Sequence, residues 1–581
     1  MMSFFSMGNE NYEIPILDTN SLVSLNKVKP ENALIEIDKD VFTATDLFHE
    51  NKFDEAIELV LKKAGKDGTH GLAAGFMSLL KAFSSMEMDD IQSATDIFQL
   101  AVDVADAQNS EKTGYLRSFS NMVATTEELN WINLRCSSIG GTCNVLRSFL
   151  YLMQASISNV LKSGICVMKG IHTIESDFNK YEKIPVDKIK DTIDENTEAN
   201  LLMMVGAINI FTGLLPPVIL KIISVFGYKS DLKLGYDCVR RCESKDSMYS
   251  SLIPLMVLAV HSIHLSFAPG LQLKEEQDEM KSRLRGVLKK HPNALLYLIM
   301  YNRFKRADRK LQQSATILKK AVDCQDQWLG FKFLAQYEMF MSQLFMGDYK
   351  ASGLNAKDLT EKDRWAQPFL SYCAAASNDM INESTIESYE ASRNMTNRKF
   401  GGRIVASEQF VIKRIEYFNT LSAIGAYSAD DIRRLHLPGL EIAFLFNGFA
   451  CKNKEEIESS LKSVEDAIKV AETLNIETLN NHLSLLKFAL SRNLNIINKT
   501  YDLSLLELVE DIGKDEMNWI QPMAMFEMAH LHLDAYLLTK NEVYLEQAQS
   551  MFKKTMKFSG YIFEYRLHFR IQQITEHIAK Y

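Results

Sequence analysis

The sequence predicts an all-α chain of stacked helical hairpins, an α-solenoid, and three observations point that way. Glycine (26) and proline (11) are scarce among 581 residues, below their usual shares of about 7% and about 5%, so turns are few and elements long. A small–large–small triplet at i, i+4 and i+7 recurs at Ala94/Phe98/Ala101, Ser314/Leu318/Ala321 and Ala548/Phe552/Thr555. That spacing puts all three on one helical face, where small residues let a second helix cross closely and the large one fills the gap. The third is Leu201–Phe226, LLMMVGAINIFTGLLPPVILKIISVF, the most apolar run in the chain.

Taken in order, residues 1–30 are polar and aperiodic and read as a flexible lead-in. Order begins near Ala33. FTATDLFHENKFDEAIELVLKKA (42–64) reads as two helices joined by a tight turn at Asn51-Lys52, with Ala44, Leu47, Phe53, Ala56 and Val60 at tetratricopeptide spacing. The fullest copy is Leu295–Val322, entered by His291-Pro292, and Trp365, Phe369 and Tyr372 mark a first helix in the same idiom. Thr43 and Lys63 stand where apolar or small residues are usual, and 110–290 shows no clear period, so the repeat is degenerate. Long helical patterns cover Asn144–Glu182, Glu198–Phe226 and Met248–Ser266. A polar break follows at Asn378–Arg403. The expected division is a helical array over 31–380, a linker over 381–405 and a second array over 406–581. The second array comprises Ala406–Thr420, Leu437–Ala450, Lys454–Leu474, Thr478–Ser491, Met517–Leu538 and Val543–Lys580. The whole is a degenerate tetratricopeptide-like superhelix of helical hairpins around a buried apolar central hairpin.

The length of the apolar run would let it span a bilayer, since about 20 apolar residues suffice. Pro216-Pro217 argues against one straight helix, because proline lacks the donor and clashes with the preceding turn. Leu201–Leu215 alone spans about 22 Å, short of a hydrocarbon core of about 30 Å. Two apolar helices meeting at a proline corner describe the centre of a large helical protein. Membrane contact or a re-entrant segment is the alternative.

A net charge of −9 makes nucleic acid an unfavourable partner, because phosphate binding draws on lysine and arginine. The eight cysteines are scattered, mostly within apolar runs, as reduced core thiols of an intracellular protein are. The N-terminus MMSFFSMGNENYEIP has no basic region and breaks its apolar run at Asn9-Glu10, and the closing AKY is no retention or prenylation signal. The expected location is cytoplasmic. No GxxxxGK[ST], GxGxxG, HExxH or GxSxG motif is present, so neither enzyme chemistry nor a cofactor is expected. His261 and His264 share a helix face without a third metal ligand nearby and read as core histidines, and Cys238 and Cys242 read as buried thiols.

One segment reverses the overall charge. Lys281–Lys310 holds ten basic residues against the single acid Asp308. Lys281, Arg285 and Lys289 share one helical face, and Arg303, Arg306 and Lys310 share another on the next helix. These six are the candidate surface for an acidic partner or an anionic lipid membrane, at up to about 1 kcal/mol per basic residue near such a membrane. The competing reading is two solvated faces neutralised by acids from elsewhere.

Several blocks carry a resemblance that covers nearly the whole chain from about Val41. They are AIELV and DDIQSA near the start, VLKSGICVMKG (160–170), VGAINIFTGLLPPVILKIISVFGY (205–228) and the helix holding His261. After the polar break come GGRIVASEQFVIKR (401–414), LPGLEIAFLFNGFA (437–450) and YRLHFRI (565–571). In their order and spacing the chain resembles the tetratricopeptide repeat protein 39 family, with its fungal inclusion-body and lipid-droplet relatives. Phe446 stands where relatives often carry a larger indole, and Tyr427–Arg434 is an added stretch. The resemblance implies that Leu201–Phe226 is a helical hairpin and that the protein is a non-catalytic adaptor loosely linked to lipid handling. The expected partner is a protein or peptide held in a concave helical groove. A peripheral membrane or lipid-droplet protein is the second expectation.

Overall fold

Asn51 turns the first hairpin. It sits at φ +66°, a left-handed conformation that asparagine tolerates better than most residues. Lys39–His49 (α1) precedes it and Phe53–Ala64 (α2) follows. Its side chain also accepts from Leu295 N at 2.9 Å and donates to Asn293 O at 2.7 Å, so the turn caps the helix that begins at Leu295. Thr43 and Lys63, the two departures from the repeat, are both exposed, where the motif's size rule does not act.

The computed structural model describes residues 12–113, 130–154, 156–213, 230–267, 274–324, 326–362, 366–397, 399–400, 403–513 and 518–578. Among these the fold is all-α, a succession of packed helical hairpins of the solenoid kind. The strands among them are the antiparallel pair Lys399–Phe400 and Arg403–Ile404. By contact the chain divides into two units. One is Met1–Leu258 with Arg285–Leu296 and Cys324–Phe331, and the other is Ala259–Leu284 with Tyr297–Asp323 and Lys332–Tyr581.

In the first unit α1 and α2 lead to Gly68–Ser85 (α3), Met88–Thr113 (α4), Trp131–Met153 (α5), Ile157–Tyr181 (α6), Glu195–Gly213 (α7) and Leu232–Glu243 (α8). Each packs on the next. The recurring triplet explains one crossing: Ala94, Phe98 and Ala101 are fully buried. A Cβ added to Gly75 would fall 2.5 Å from the Phe98 ring, and one on Gly71 2.9 Å from Ala101 Cβ. Glycine is therefore required on α3 for the ring to seat. The continuous pattern over Asn144–Glu182 is two helices, because Ser156 caps a new start by accepting from Asn159 N at 3.1 Å.

The first part of the apolar run, Leu201–Gly213, lies in α7, with Leu201, Leu202, Met204, Val205, Ile208 and Ile210 buried. Its remainder, including Pro216-Pro217, lies outside the described residues. Met248–Phe267 (α9) is, among the described residues, the one helix long and apolar enough to cross a membrane by length and composition, with a little under half of its apolar stretch buried. Lys274–Lys290 (α10), Leu295–Ala307 (α11), Leu311–Asp323 (α12) and Leu329–Met346 (α13) follow.

The second unit continues with Tyr349–Lys362 (α14), Gln367–Asp379 (α15), Ile386–Arg393 (α16), Ala406–Thr420 (α17), Ala429–Leu435 (α18) and Pro438–Leu445 (α19). Lys454–Leu474 (α20), Glu477–Asn498 (α21), Ile520–Thr539 (α22), Glu542–Thr555 (α23) and Glu564–Ile578 (α24) complete it. One continuous apolar cluster holds Phe340, Tyr372, Tyr389, Phe410, Phe444, Phe488, Trp519 and Phe526. The segment 381–405 carries α16, whose Tyr389 is fully buried. The run Val543–Lys580 is interrupted after α23 by Gly560 at φ +77°, a conformation open to glycine, so α24 starts a separate helix. The added stretch Tyr427–Arg434 forms α18, opened by a reciprocal cap between Ser428 and Asp431.

Candidate functional site

The six basic residues divide into two groups. Lys281 is tied to Asp308, Nζ to Oδ1, at 2.7 Å. Arg303 and Arg306 turn from α11 onto one carboxylate of α13: Arg303 Nη2 reaches Glu338 Oε1 at 2.7 Å and Arg306 Nη1 reaches Oε2 at 2.5 Å. Arg306 Nε also donates to Ser342 Oγ at 2.9 Å. Burial alone would raise the Glu338 carboxyl; the two guanidiniums overcome it and hold it down to about 2. Arg285, Lys289 and Lys310 occupy exposed positions, the first two one turn apart on α10. The structure thus joins Arg303 with Arg306 and assigns Lys281 to a neighbouring acid.

Other buried arginines of the second unit follow the same rule, each facing a carboxylate. Arg414 Nε donates to Glu441 Oε2 at 3.0 Å, with a second contact through Nη2. Arg433, from the added α18, grips Asp379 with two bonds of 2.9 Å, and Tyr389 donates to the same carboxylate at 3.0 Å. Arg492 lies between Glu527 at 2.9 Å and Asp534 at 2.7 Å. In the first unit Arg135 plays that part, bound to Asp38 and, at 3.0 Å, to Asp194. Such fork-to-fork bonds satisfy charges whose exposure to water has been removed.

Among the described residues of the second unit, Arg309, Arg566 and Arg570 lack that arrangement. Arg309 points at the end of the short helical turn Gly448–Cys451, donating to Lys452 O at 2.6 Å and Asn493 Oδ1 at 3.3 Å. Arg566 and Arg570 stand four apart on α24. Arg566 Nε donates to Leu445 O at 3.2 Å, and its guanidinium lies 5.0 Å and 4.7 Å from the Phe267 and Phe446 ring centres. Arg570 Nε donates to Phe267 O at 3.3 Å, with its guanidinium 4.4 Å from the Phe526 ring. Burial lowers both, Arg566 to about 10 and Arg570 to about 9.

Arg566 lines a cavity of about 210 Å³ within the second unit. Arg303, Arg306, Glu338 and Asn447 join it in the polar lining, with Ser266 and Tyr337, and Phe267, Phe345, Phe446 and Met341 supply much of the apolar wall. Asn447, at φ +64°, donates through Nδ2 to Ser266 O at 2.8 Å. Among the described residues its Oδ1, like Arg303 Nε, is buried without a hydrogen-bond partner. Arg303 and Arg306 were reachable from the local charge run in the sequence. Glu338, Asn447 and Arg566 were not, because they come from segments far apart in the chain. The one signal was an arginine pair four apart in the aromatic block YRLHFRI.

His261 stacks on Phe304 at 5.4 Å between ring centres, and burial lowers it to about 4. Cys238 and Cys242 are fully buried, and desolvation raises their thiols to about 11 and about 12. Among the described residues no three histidines, cysteines or carboxylates gather as a metal would need.

An all-α succession of hairpins, closed at their crossings by small–large–small contacts, defines a helical repeat protein of the tetratricopeptide kind, a class that generally binds other proteins. The family described as Iml2/Tetratricopeptide repeat protein 39 matches residues 42–494, well over half of the chain, and the chain belongs to that family. Arg566 and Arg570 lie beyond the matched residues.

Proposed function

We propose that this protein is a non-catalytic adaptor that binds an acidic segment of a partner protein, in the cytoplasm and in the service of lipid homeostasis. The observation that carries it is the family match over 42–494 on a chain built of packed helical hairpins, a build that offers long helical faces rather than a convergent set of reactive groups. Arg285 and Lys289, exposed and one turn apart on α10, lie outside the internal ion pairs that occupy Lys281, Arg303 and Arg306. The helical face that carries them suits a peptide rich in aspartate and glutamate. The test is proximity labelling in cells with the full chain and with Arg285→Glu/Lys289→Glu. A set of partners lost from the variant and rich in acidic segments supports the adaptor; an unchanged set overturns the role of these residues.

A second reading, attachment to an organelle membrane or lipid droplet, is favoured by α9, whose length and composition suit a bilayer. Alkaline carbonate extraction separates the two. An adaptor is released, whereas a chain inserted through α9 stays in the pellet.

A further inference from the structure

A guanidinium withdrawn from water needs a counter-charge, and in the second unit Arg303, Arg306, Arg414, Arg433 and Arg492 each have one. Arg566 does not. Among the described residues its hydrogen bond is a neutral carbonyl, and aromatic faces take the place of a carboxylate on two sides. Packing does not demand the charge, since a methionine of similar length would fill the same space between Phe267 and Phe446. Arg566 lines a cavity whose charged lining is three arginines against the single carboxylate of Glu338. Glu338 is itself shared between Arg303 and Arg306, which leaves the wall positive. Two further polar atoms of its lining residues, Arg303 Nε and Asn447 Oδ1, are buried and unsatisfied among the described residues, one a donor and one an acceptor. A positive wall with an unsatisfied donor suits an oxyanion.

We propose that this cavity binds a small organic oxyanion, a phosphate or carboxylate group on a short apolar body, with Arg566 as the docking cation. The planar fork of arginine matches either oxyanion with two parallel bonds. Phe267, Phe345 and Phe446 enclose the body, and Met341 adapts to its shape. The volume sets the size: about 210 Å³ exceeds the ~150 Å³ cavity that accommodates benzene. One ring or a chain of comparable bulk fits, and a nucleotide does not. The site is independent of the adaptor role, because neither Arg285 nor Lys289 lines it.

The test is calorimetric titration of the full chain, at matched ionic strength, with phenyl phosphate, benzoate and the uncharged analogue benzyl alcohol. One of the two anions is expected to bind with one-to-one stoichiometry, at least tenfold more tightly than benzyl alcohol. Preference for phenyl phosphate assigns a phosphate-bearing ligand, and preference for benzoate a carboxylate. Arg566→Met should weaken that anion at least tenfold, whereas Lys310→Gln, outside the cavity, should leave it unchanged. Met341→Glu, which carries a carboxylate into the lining, should abolish binding even if Arg566→Met does not fold. Absence of one-to-one binding by either anion, equal binding of benzyl alcohol, or wild-type affinity in Arg566→Met would each overturn the proposal.

Discussion

Glu338 shows at a single residue how much of this protein's stability rests on charge inside apolar surroundings. Its carboxylate answers two arginines at once, so replacing it with glutamine leaves both cations beside Phe345 and Met341 without their partner. Breaking a buried pair by removing one member costs about 3 kcal/mol or more. The linkage agrees in size, because a carboxyl lowered from 4.5 to about 2 represents about 3 kcal/mol at about 1.4 kcal/mol per pH unit. A depressed carboxylate stabilises the fold above its unfolded value and loses that contribution as pH falls through its folded value. Glu338→Gln is therefore expected to unfold at lower denaturant than wild type at pH 7, with the gap closing between pH 4.5 and 2. A gap that stays constant over that range would contradict the pairing. Arg303 and Arg306 are conspicuous in the sequence as part of a basic run. Their engagement by Glu338 is not, since the partner lies more than thirty positions downstream and nothing local distinguishes it from a solvated glutamate.

At the level of the helix pair, the crossing of α7 and α8 depends on two missing side chains. A Cβ on Gly206 would meet Val239 Cγ2 at 2.8 Å and Gly235 O at 3.2 Å; one on Gly235 would meet Asn209 Cβ at 3.0 Å. The helices approach backbone to backbone, and Val239, Asn209 and Ile210 close the space around them. Overfilling a packed contact costs about 1–3 kcal/mol, and a γ-branched side chain here has no direction in which to relax. Gly235→Leu is expected to lower the melting temperature by several degrees, with Gly235→Ala intermediate; circular dichroism on heating reads both. Elements of this kind are partly legible in the sequence. The triplets Ala94/Phe98/Ala101 and Ser314/Leu318/Ala321 mark buried helix faces because size and period act within one helix. The breaks at Ser156 and Gly560 escape notice because the apolar period continues across them, and only a cap or a left-handed residue records the new start. The proline corner of the apolar run falls outside the described residues, so its geometry stays an expectation from proline chemistry alone.

Over the whole chain, composition conveys an acidic protein, net −9, yet the response to acid is set by where a few histidines sit. His436, His482 and His530 are buried in the second unit, and burial lowers each of them, with neighbouring arginines adding to the effect. His436, at about 3, is the best defined. Its ring meets Ile432 O at 3.0 Å and the Tyr417 hydroxyl at 3.1 Å, and its own carbonyl accepts from His482 Nε2 at 2.9 Å. Arg414 is the cation that repels its protonated form, and Phe418 closes another side. None of this is visible in the sequence, where His436 is one histidine of twelve. A folded value below the unfolded one means that the unfolded chain takes up protons first. Stability is then complete above about pH 6.5 and falls as the pH drops towards 3. Between pH 6.5 and 5 a histidine of the unfolded chain takes up its proton while the buried His436 stays neutral, so His436 adds to the slope. At about 1.4 kcal/mol per pH unit, His436 alone accounts for about 2 kcal/mol over that window. Chemical denaturation of His436→Gln should show a lower stability at pH 7 and a shallower decline to pH 5 than wild type, by about that amount. Parallel declines would mean that His436 titrates in the folded protein as it does in water, and the burial that positions it beside Arg414 would have to be abandoned.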